Sequence, residues 1–286
     1  MISISAHLTP EKFLKTAGPW LEKNEPQNNL ILGIASNIAS KPLDQRQEYH
    51  FWVVKKGKEI AGAAFWTPPF KLSLTEMESD ALIFLARKLV KQVPLIPGVN
   101  GPKEILPTFI RAWNAPGLQA EIETSSRLYH LEKVGEVPPV GGEMRIAGPE
   151  ETDRLTQWFK LFREELRAPE KLDEREWVGG YIREQRLFVW NHGQACAMAG
   201  YAGITPNGAR IVMVYTPRGL RKRGYATNLV ASLSQKLLQG SRKFCVLYTD
   251  LLNPTSNHIY QKIGYLPVCD WDSYSFQAFK GLLEGE

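Results

Sequence analysis

The sequence contains few of the residues that build disulfide and metal sites. Among its 286 residues are three cysteines, Cys196, Cys245 and Cys269. They are odd in number and far apart in the sequence, and their spacing is not that of a metal site. We therefore expect reduced, mostly buried thiols, as in a cytoplasmic protein, with no disulfide framework and no bound metal.

Long hydrophobic runs are also missing from the sequence. No stretch approaches the ~18 consecutive apolar residues of a membrane-spanning helix. The residues after Met1 lack the charged-then-apolar pattern of a leader, so we expect a cytoplasmic protein without a membrane segment. Hydrophobic residues make up 43% and charged residues 23%, which is typical of a soluble globular protein. The length favours two domains.

The two halves of the chain share one order of predicted elements. In the second half, an amphipathic helix over 150–167, capped by Thr152 or Asp153, and a second short helix precede three strands. A helix, a short buried strand, another helix and a final strand follow. The first half repeats this order more loosely. The pattern predicts α/β domains, each around a mixed sheet. The stretch GEVPPVGGE (135–143) marks the junction, so we predict domains at 1–137 and 138–286.

The stretch RGLRKRGYATNL, residues 218–229, joins a predicted strand to a predicted helix and contains four basic residues. A helix N-terminus offers unpaired backbone N–H groups and partial positive charge, which favours an anion. Gly224 permits close approach of the backbone to a ligand, and Ala226 is small. The combination predicts a phosphate-binding cradle. The corresponding part of the first half, LSLTEMESDALIF, is acidic, so we expect one such cradle in the chain.

Other interpretations of this basic stretch are less consistent with the sequence. Cations at a helix N-terminus oppose the helix dipole by about 0.3–1 kcal/mol each, so a ligand-free helix cap is disfavoured. Nucleic-acid binding usually spreads basic and aromatic residues along a face, whereas these are concentrated in one loop. The stretch matches neither the G-x-x-x-x-G-K-S/T nor the G-x-G-x-x-G pattern of nucleotide-binding loops.

Two motifs, in order, resemble those of the GNAT N-acetyltransferases. The acyl-coenzyme A loop of that family is written Q/R-x-x-G-x-G/A, and the sequence has RKRGYA at 221–226. The second motif, N-x-x-S/A-x-x-x-Y-x-x-x-G-F/Y, is matched by NPTSNHIYQKIGY at 253–265. The resemblance covers about residues 143–286 and implies tandem GNAT folds, each a mixed, mostly antiparallel sheet flanked by helices. The first half resembles a degenerate copy by element order alone.

The resemblance implies which residues hold acetyl-CoA. The pantetheine arm is expected between two splayed strands, paired with the backbone of Val214 and Thr216, and the pyrophosphate on N–H groups of the loop. The implied binding residues are Val214, Tyr215, Thr216, Arg221, Lys222, Arg223, Gly224, Tyr225, Ala226, Thr227 and Asn253. No metal is implied.

The same resemblance implies that Tyr260 acts as the general acid. When an amine attacks the thioester, the departing thiolate needs a proton or a hydrogen bond. A tyrosine hydroxyl with a pKa near ~10 is still protonated at neutral pH and can donate. The general base stays open among several acidic residues. These are Glu164, Glu165, Glu174, Glu176 and Asp250. His192 and His258 fit ordinary polar surface.

The sequence leaves the acceptor and the first half undefined. We expect a small-molecule or peptide amine as acceptor, and neither a membrane nor a nucleic acid as partner. The first half could wall the acceptor cleft, form a homodimer or stabilise the second half. The alternative function is a non-catalytic, regulatory acyl-CoA-binding protein, which needs the loop but not Tyr260.

Overall fold

The computed structural model describes residues 1–93, 95–114, 118–166 and 172–278. The chain divides into two compact units. The first comprises Met1–Leu128, Asp250–Leu252 and the described residues from Val268, and the second comprises Tyr129–Thr249 and Asn253–Pro267. The end of the helix predicted over 150–167, and the first residues of the segment after it, lie outside the described residues.

The first run of elements begins with a strand and two helices. The elements are β1 (Ile2–His7), α1 (Pro10–Leu21), α2 (Glu25–Ala39), β2 (His50–Lys56), β3 (Glu59–Trp66), β4 (Leu72–Leu74), α3 (Ser79–Gln92), β5 (Gly98–Pro102), α4 (Leu106–Trp113) and β6 (Leu118–Leu131). The end of β6 leads into the second unit.

The second run repeats this order. Its elements are β7 (Glu143–Ile146), α5 (Thr152–Glu165), α6 (Glu174–Arg183), β8 (Leu187–Asn191), β9 (Ala195–Ala202), β10 (Gly208–Tyr215), α7 (Tyr225–Gln239), β11 (Phe244–Asp250), α8 (Pro254–Ile263) and β12 (Leu266–Ala278). Each run is a strand, two helices, three strands, a helix, a strand, a helix and a strand. This correspondence confirms the predicted tandem organisation.

The sheets are mixed and mostly antiparallel, as predicted. In the first unit the strand order is β1-β2-β3-β4-β5-β12, and in the second it is β11-β10-β9-β8-β7. The pair β4–β5 is parallel, as is the equivalent pair β10–β11, since a helix connects the strands in each case. The three strands β8, β9 and β10 form a meander through the turns predicted at 191–193 and 206–208.

Alternating side chains of the second-unit strands bury two separate cores. On β8, Phe188 and Trp190 lie in a cluster with α7 and α8, whereas Leu187 and Val189 lie in a cluster with α5 and α6. Strands covered by helices on both faces bury nearly every residue, which explains the continuous apolar sequence of β8 and β9. The first unit likewise buries one cluster with α3 and α4 and another with α1 and α2.

The last strand is grouped differently from the prediction. The predicted second domain ran from 138 to 286, but the described residues from Val268 group with the first unit. There β12 pairs antiparallel with β5, from Trp271 opposite Pro102 to Ser275 opposite Gly98. Strand alternation in a sequence does not specify which distant strand it pairs with.

The termini of two helices test the predicted capping residues. The predicted cap of α5 at Thr152 or Asp153 is wrong: the helix begins at Thr152, and the Glu151 carboxylate accepts a hydrogen bond from Gly148 N at 3.1 Å. For α8 the prediction is confirmed. Asn253 caps the helix, Pro254 is its first residue, and Gly264 ends it at φ 108°.

No helix within the described ranges combines the length and apolar character required to cross a bilayer.

Candidate active site

The divergence of β10 and β11 is the first feature of the candidate site. The two parallel strands pair at Gly208 with Phe244, Ala209 with Cys245 and Arg210 with Val246. Beyond this register β10 continues to Tyr215 and β11 to Asp250. The strands therefore diverge over their C-terminal halves, and the end of β10 offers backbone groups that an extended ligand can pair with as an added strand.

A β-bulge lies within the diverging part of β10. On its other side, β10 pairs with β9 at Val212 opposite Gly200 and at Tyr215 opposite Met198. Two residues of β10, Met213 and Val214, thus span one residue of β9. Met213 adopts φ 57°, which is uncommon for a residue other than glycine. Such a bulge bends the strand and redirects its end.

The predicted phosphate cradle forms the N-terminus of α7. Gly224 precedes the helix at φ 79°, in the left-handed region that favours glycine. The first intrahelical hydrogen bond runs from Asn228 N to Gly224 O at 3.0 Å, so the N–H groups of Tyr225, Ala226 and Thr227 precede the helical ladder. No side chain caps this helix and its first turn contains no acidic residue. A helix end of this kind offers unpaired backbone N–H groups that can accept an anion.

Arg221 is held by the protein. Its Nη2 donates to both carboxylate oxygens of Glu165 at 2.8 Å, and its Nε donates to Thr216 O at 2.9 Å. Its guanidinium also lies 5.6 Å from the centre of the Tyr215 ring. Arg218 approaches the same carboxylate at 3.5 Å. Glu165, which the sequence offered only as a candidate base, is therefore the counterion of two loop arginines.

Lys222 and Arg223 supply the charge that is available to a ligand. Both side chains are exposed. Among the described residues neither forms an ion pair, and Arg223 makes one long hydrogen bond, from Nη2 to Gly219 O at 3.4 Å. The positive charge at the start of α7 is thus only partly neutralised by the chain itself.

Tyr260 lies on α8 in the same buried cluster as Tyr225 and Leu247, and Val214 packs against that cluster. The residue is 7% exposed, and burial raises the pKa of its hydroxyl above the usual value. Its ring meets that of Tyr265 edge to face, with centres 6.0 Å apart. Among the described residues, the Tyr260 hydroxyl has no hydrogen-bond partner. A protonated, buried hydroxyl is thus free to donate to a ligand.

Two other predicted binding residues have distinct environments. Asn253 Oδ1 accepts a hydrogen bond from Ser256 N at 3.0 Å, so this side chain caps α8. Thr216 Oγ1, at the end of β10, is buried without a hydrogen-bond partner among the described residues. A buried hydroxyl without a partner costs free energy that a ligand's polar group can recover.

Most of the candidate bases have partners in the protein. Glu174 accepts from Arg163 at 3.0 Å, Glu176 pairs with Arg183, and Asp250 Oδ1 accepts from Leu252 N at 2.7 Å. Glu164 and His258 are exposed.

His192 is exposed, as expected for polar surface, and its Nδ1 lies 3.0 Å from the Tyr225 hydroxyl. Within the described ranges, no group of three or more His, Cys, Asp or Glu side chains is arranged to hold a metal ion.

Three features of the site could not be predicted from the sequence. The bulge at Met213 interrupts an apolar strand that contains neither glycine nor proline at that point, so no residue type indicated it. The contact of Glu165 with Arg221 joins residues far apart in sequence, and a charged helix gives no sign of which carboxylate makes it. The hydrogen bond of His192 to Tyr225 likewise connects the β8–β9 turn to the first residue of α7.

Comparisons with known proteins agree with this topology. Residues 192–273 match the family model described as FR47-like protein. A Drosophila protein is 12% identical with a TM-score of 0.69, over 97% of this chain and 99% of that one. A tandem GNAT protein from the clavulanic acid biosynthesis pathway is 14% identical, with a TM-score of 0.56, over 98% and 99%. A GCN5-related N-acetyltransferase from Sphaerobacter thermophilus is 15% identical, with a TM-score of 0.57, over 97% and 96%. No curated protein matches the sequence.

The element order is that of the GNAT fold and occurs twice in the chain, and the second run adds the diverging parallel strands and the glycine-led helix end. The protein therefore has a tandem GNAT fold, and the FR47-like match over residues 192–273 includes both motifs that resemble those of the GNAT N-acetyltransferases.

Proposed function

We propose that the protein is an N-acetyltransferase that moves the acetyl group of acetyl-CoA to a primary amine by direct attack, with Tyr260 as general acid. The acceptor class is a small-molecule or peptide amine. The proposal applies to the second run of elements, where the diverging strands, the phosphate-binding turn and the buried tyrosine occur together.

The observation that carries the proposal is the N-terminus of α7. A left-handed glycine, Gly224, leads into a helix without a side-chain cap, and two exposed cations, Lys222 and Arg223, lie beside it without ion pairs in the described chain. Such an end is poorly stabilised without an anion, because both cations oppose the helix dipole. Charge-assisted hydrogen bonds from its N–H groups to a diphosphate stabilise both partners.

The residues around the turn fit the remainder of acetyl-CoA. The diverging end of β10 provides backbone groups for a pantetheine arm at Val214 and Thr216, and the buried hydroxyl of Thr216 is available there. Tyr260 lies in the cluster against which Val214 packs. The side chain of Asn253 already caps α8 through its oxygen, so only its amide NH₂ remains for a cofactor contact.

The proposed reaction forms a C–N bond and breaks a C–S bond. The acceptor ammonium first gives one proton to a base, and the neutral amine then attacks the thioester carbonyl carbon. The sulfur departs with the electron pair of the C–S bond, and the hydroxyl of Tyr260 donates a hydrogen bond and then its proton to it. The proton lost by the attacking nitrogen restores the phenol, so the products are the acetamide and the free thiol.

The environment of Tyr260 favours this role. Because burial raises its pKa, the hydroxyl is protonated throughout the neutral range. A phenol that holds its proton tightly stabilises the developing thiolate first as a hydrogen-bond donor. Transfer of the proton completes as the C–S bond breaks.

The test is an amine-dependent release of thiol from acetyl-CoA over a panel of primary amines, with each product checked for one added acetyl group. We expect turnover by the wild type and none by Gly224→Glu, because a side chain at this left-handed residue collides with Val140 and adds a negative charge at the helix end. Thermal unfolding of both proteins controls for misfolding. Coenzyme A binding without turnover of any amine would instead indicate a non-catalytic acyl-CoA-binding protein.

A further inference from the structure

The segment Pro138–Gly142, here called the strap, lies directly on the N-terminus of α7. Asn228 Nδ2 donates to Pro138 O and to Gly224 O, each at 3.1 Å. One amide group therefore ties the strap to the residue that starts the phosphate-binding turn. Asn228 is 8% exposed, so this tie is shielded from water.

Val140 packs on Gly224 itself. A Cβ placed on Gly224 would lie 2.8 Å from Val140 Cγ1, closer than real Cβ contacts come, and 4.0 Å from Val140 Cβ. The missing side chain of Gly224 thus makes room for the strap as well as permitting the left-handed conformation at φ 79°.

The other end of the strap is anchored on the β8–β9 hairpin. Trp190 Nε1 donates to Gly141 O at 3.0 Å, and Gly142 adopts φ 105° where a Cβ would lie 2.4 Å from Asn191 O. The same hairpin holds the turn through His192, whose Nδ1 lies 3.0 Å from the Tyr225 hydroxyl. The strap and hairpin therefore fix the first turn of α7 from outside.

We propose that the strap, through Val140 and Asn228, positions the phosphate-binding turn and so sets the affinity of the protein for the diphosphate of acyl-CoA. This inference rests on the proposed function. Val140 and Asn228 are positioning residues, because they act through Gly224 and the N–H groups that follow it. A preorganised set of donors loses less conformational freedom when the ligand binds.

The central experiment is a double-mutant cycle read by calorimetric titration with coenzyme A. Val140→Ala alone removes support from the turn, and we expect about threefold weaker binding. Gly224→Ala places a methyl group against Val140 at a left-handed position, and we expect binding at least about fivefold weaker. In the double variant the colliding Cγ1 is gone, so Val140→Ala now strengthens binding relative to Gly224→Ala.

This reversal in the effect of Val140→Ala on coenzyme A affinity is the result that identifies a positioning role for the strap. Val137→Ala, which changes the residue immediately before the strap, serves as the matched control. It should not improve binding in the Gly224→Ala background. If Val140→Ala weakens binding or has no effect in both backgrounds, the inference is overturned and the proposed function stands. If the wild type does not bind coenzyme A, both the inference about the strap and the proposed function are wrong.

A second variant covers the case in which Gly224→Ala does not fold. Asn228→Ala keeps a good helix former in α7 but removes both hydrogen bonds of the amide. We expect about tenfold weaker binding of coenzyme A, with the binding of pantetheine, which lacks the diphosphate, unchanged. Gln235→Ala, exposed on the same helix, is the control. Equal losses for both ligands, or no loss for either, contradict a positioning role.

Discussion

Glu165 and Arg221 form a bidentate contact in which Arg221 Nη2 donates to both carboxylate oxygens at 2.8 Å. The first residue of the phosphate-loop motif is thereby neutralised by a helix of the same unit. The loop contains four basic residues, and this carboxylate also attracts Arg218. The positive field that the proposed diphosphate would meet therefore comes mainly from Lys222, Arg223 and the helix end.

Removal of the Glu165 charge should strengthen cofactor binding. Glu165→Gln keeps an acceptor for Arg221 but deletes a negative charge next to the proposed diphosphate site. We expect coenzyme A to bind about two- to fivefold more tightly at low salt, and the gain to shrink as salt screens it. Titrations at two ionic strengths measure this effect. Glu164→Gln, the exposed neighbour, should change little; weaker binding by Glu165→Gln would show that the carboxylate supports the loop.

Loss of the Tyr260 hydroxyl should affect turnover and not binding. Tyr260→Phe keeps the buried ring but removes the donor to the leaving sulfur. We expect the turnover number with saturating acetyl-CoA to fall about 100-fold, in the range for general acid–base groups. The affinity for coenzyme A should not change.

Tyr265→Phe is the matched control, because its hydroxyl bonds with Ser234 Oγ at 2.8 Å inside the core. This variant should lose stability and keep turnover. Equal turnover in Tyr260→Phe and the wild type would remove Tyr260 from the reaction.

The buried tyrosines predict a loss of stability at alkaline pH. Burial raises the pKa of Tyr260 and Tyr265 above the usual value. The folded state therefore keeps protons that the unfolded chain releases above pH ~10, so the free energy of unfolding falls as pH rises past that point. Midpoints of thermal unfolding, measured from pH 8 to 11 at intervals of roughly 0.5 pH unit, test this expectation. Tyr265→Phe should show a shallower alkaline decline; an unchanged slope would contradict the assignment.

The Glu151–Arg145 pair predicts the opposite behaviour in acid. Burial alone would raise the pKa of Glu151, but hydrogen bonds from Arg145, at 2.6 and 2.9 Å, and from Gly148 N outweigh it and lower the pKa. The stability that Glu151 contributes is fully present above its unfolded-state pKa of ~4.3. It disappears as the pH falls through the pKa of the folded state. Glu151→Gln should lose about 1–2 kcal/mol of stability at neutral pH.

Denaturant titrations at pH 7 and in acid separate this effect from a simple packing defect. The difference between wild type and Glu151→Gln should shrink steadily as the pH falls below ~4. A deficit of constant size at both pH values would show that the charge of Glu151 is not what stabilises the helix end.

Local features of the sequence predicted much of the fold. The glycine of the phosphate-binding turn, the caps of α8 and the turns of the meander are fixed by residues a few positions apart. These features could therefore be predicted from residue types and their spacing. The order of elements also follows from periodicity, which is why the duplication was predictable even though the two halves differ in sequence.

Long-range features could not be predicted in this way. The pairing of β12 with β5, the bulge at Met213, and the contact of Glu165 with Arg221 all depend on residues brought together by tertiary packing. From the sequence, residues 135–143 are recognisable only as a junction rich in proline and glycine. Its contact with Gly224 gives Val140 a role that its residue type does not suggest.

The first run of elements should not bind a second acyl-CoA. At the position equivalent to the phosphate-binding turn, α3 begins after Glu78, and Asp80 lies in its first turn. Lys56 Nζ pairs with both carboxylates, at 2.6 and 3.0 Å. Acidic residues at this helix end repel a phosphate, so one ligand per chain is expected.

Calorimetric titration of coenzyme A into the wild type and into Lys222→Ala/Arg223→Ala tests the central claim most directly. We expect saturable binding of about one coenzyme A per chain, since among the described residues the glycine-led turn occurs in the second run. We also expect an affinity about tenfold or more lower in the double variant, because two charge-assisted contacts are lost. Absence of binding to the wild type, or binding that ignores both cations, would contradict it.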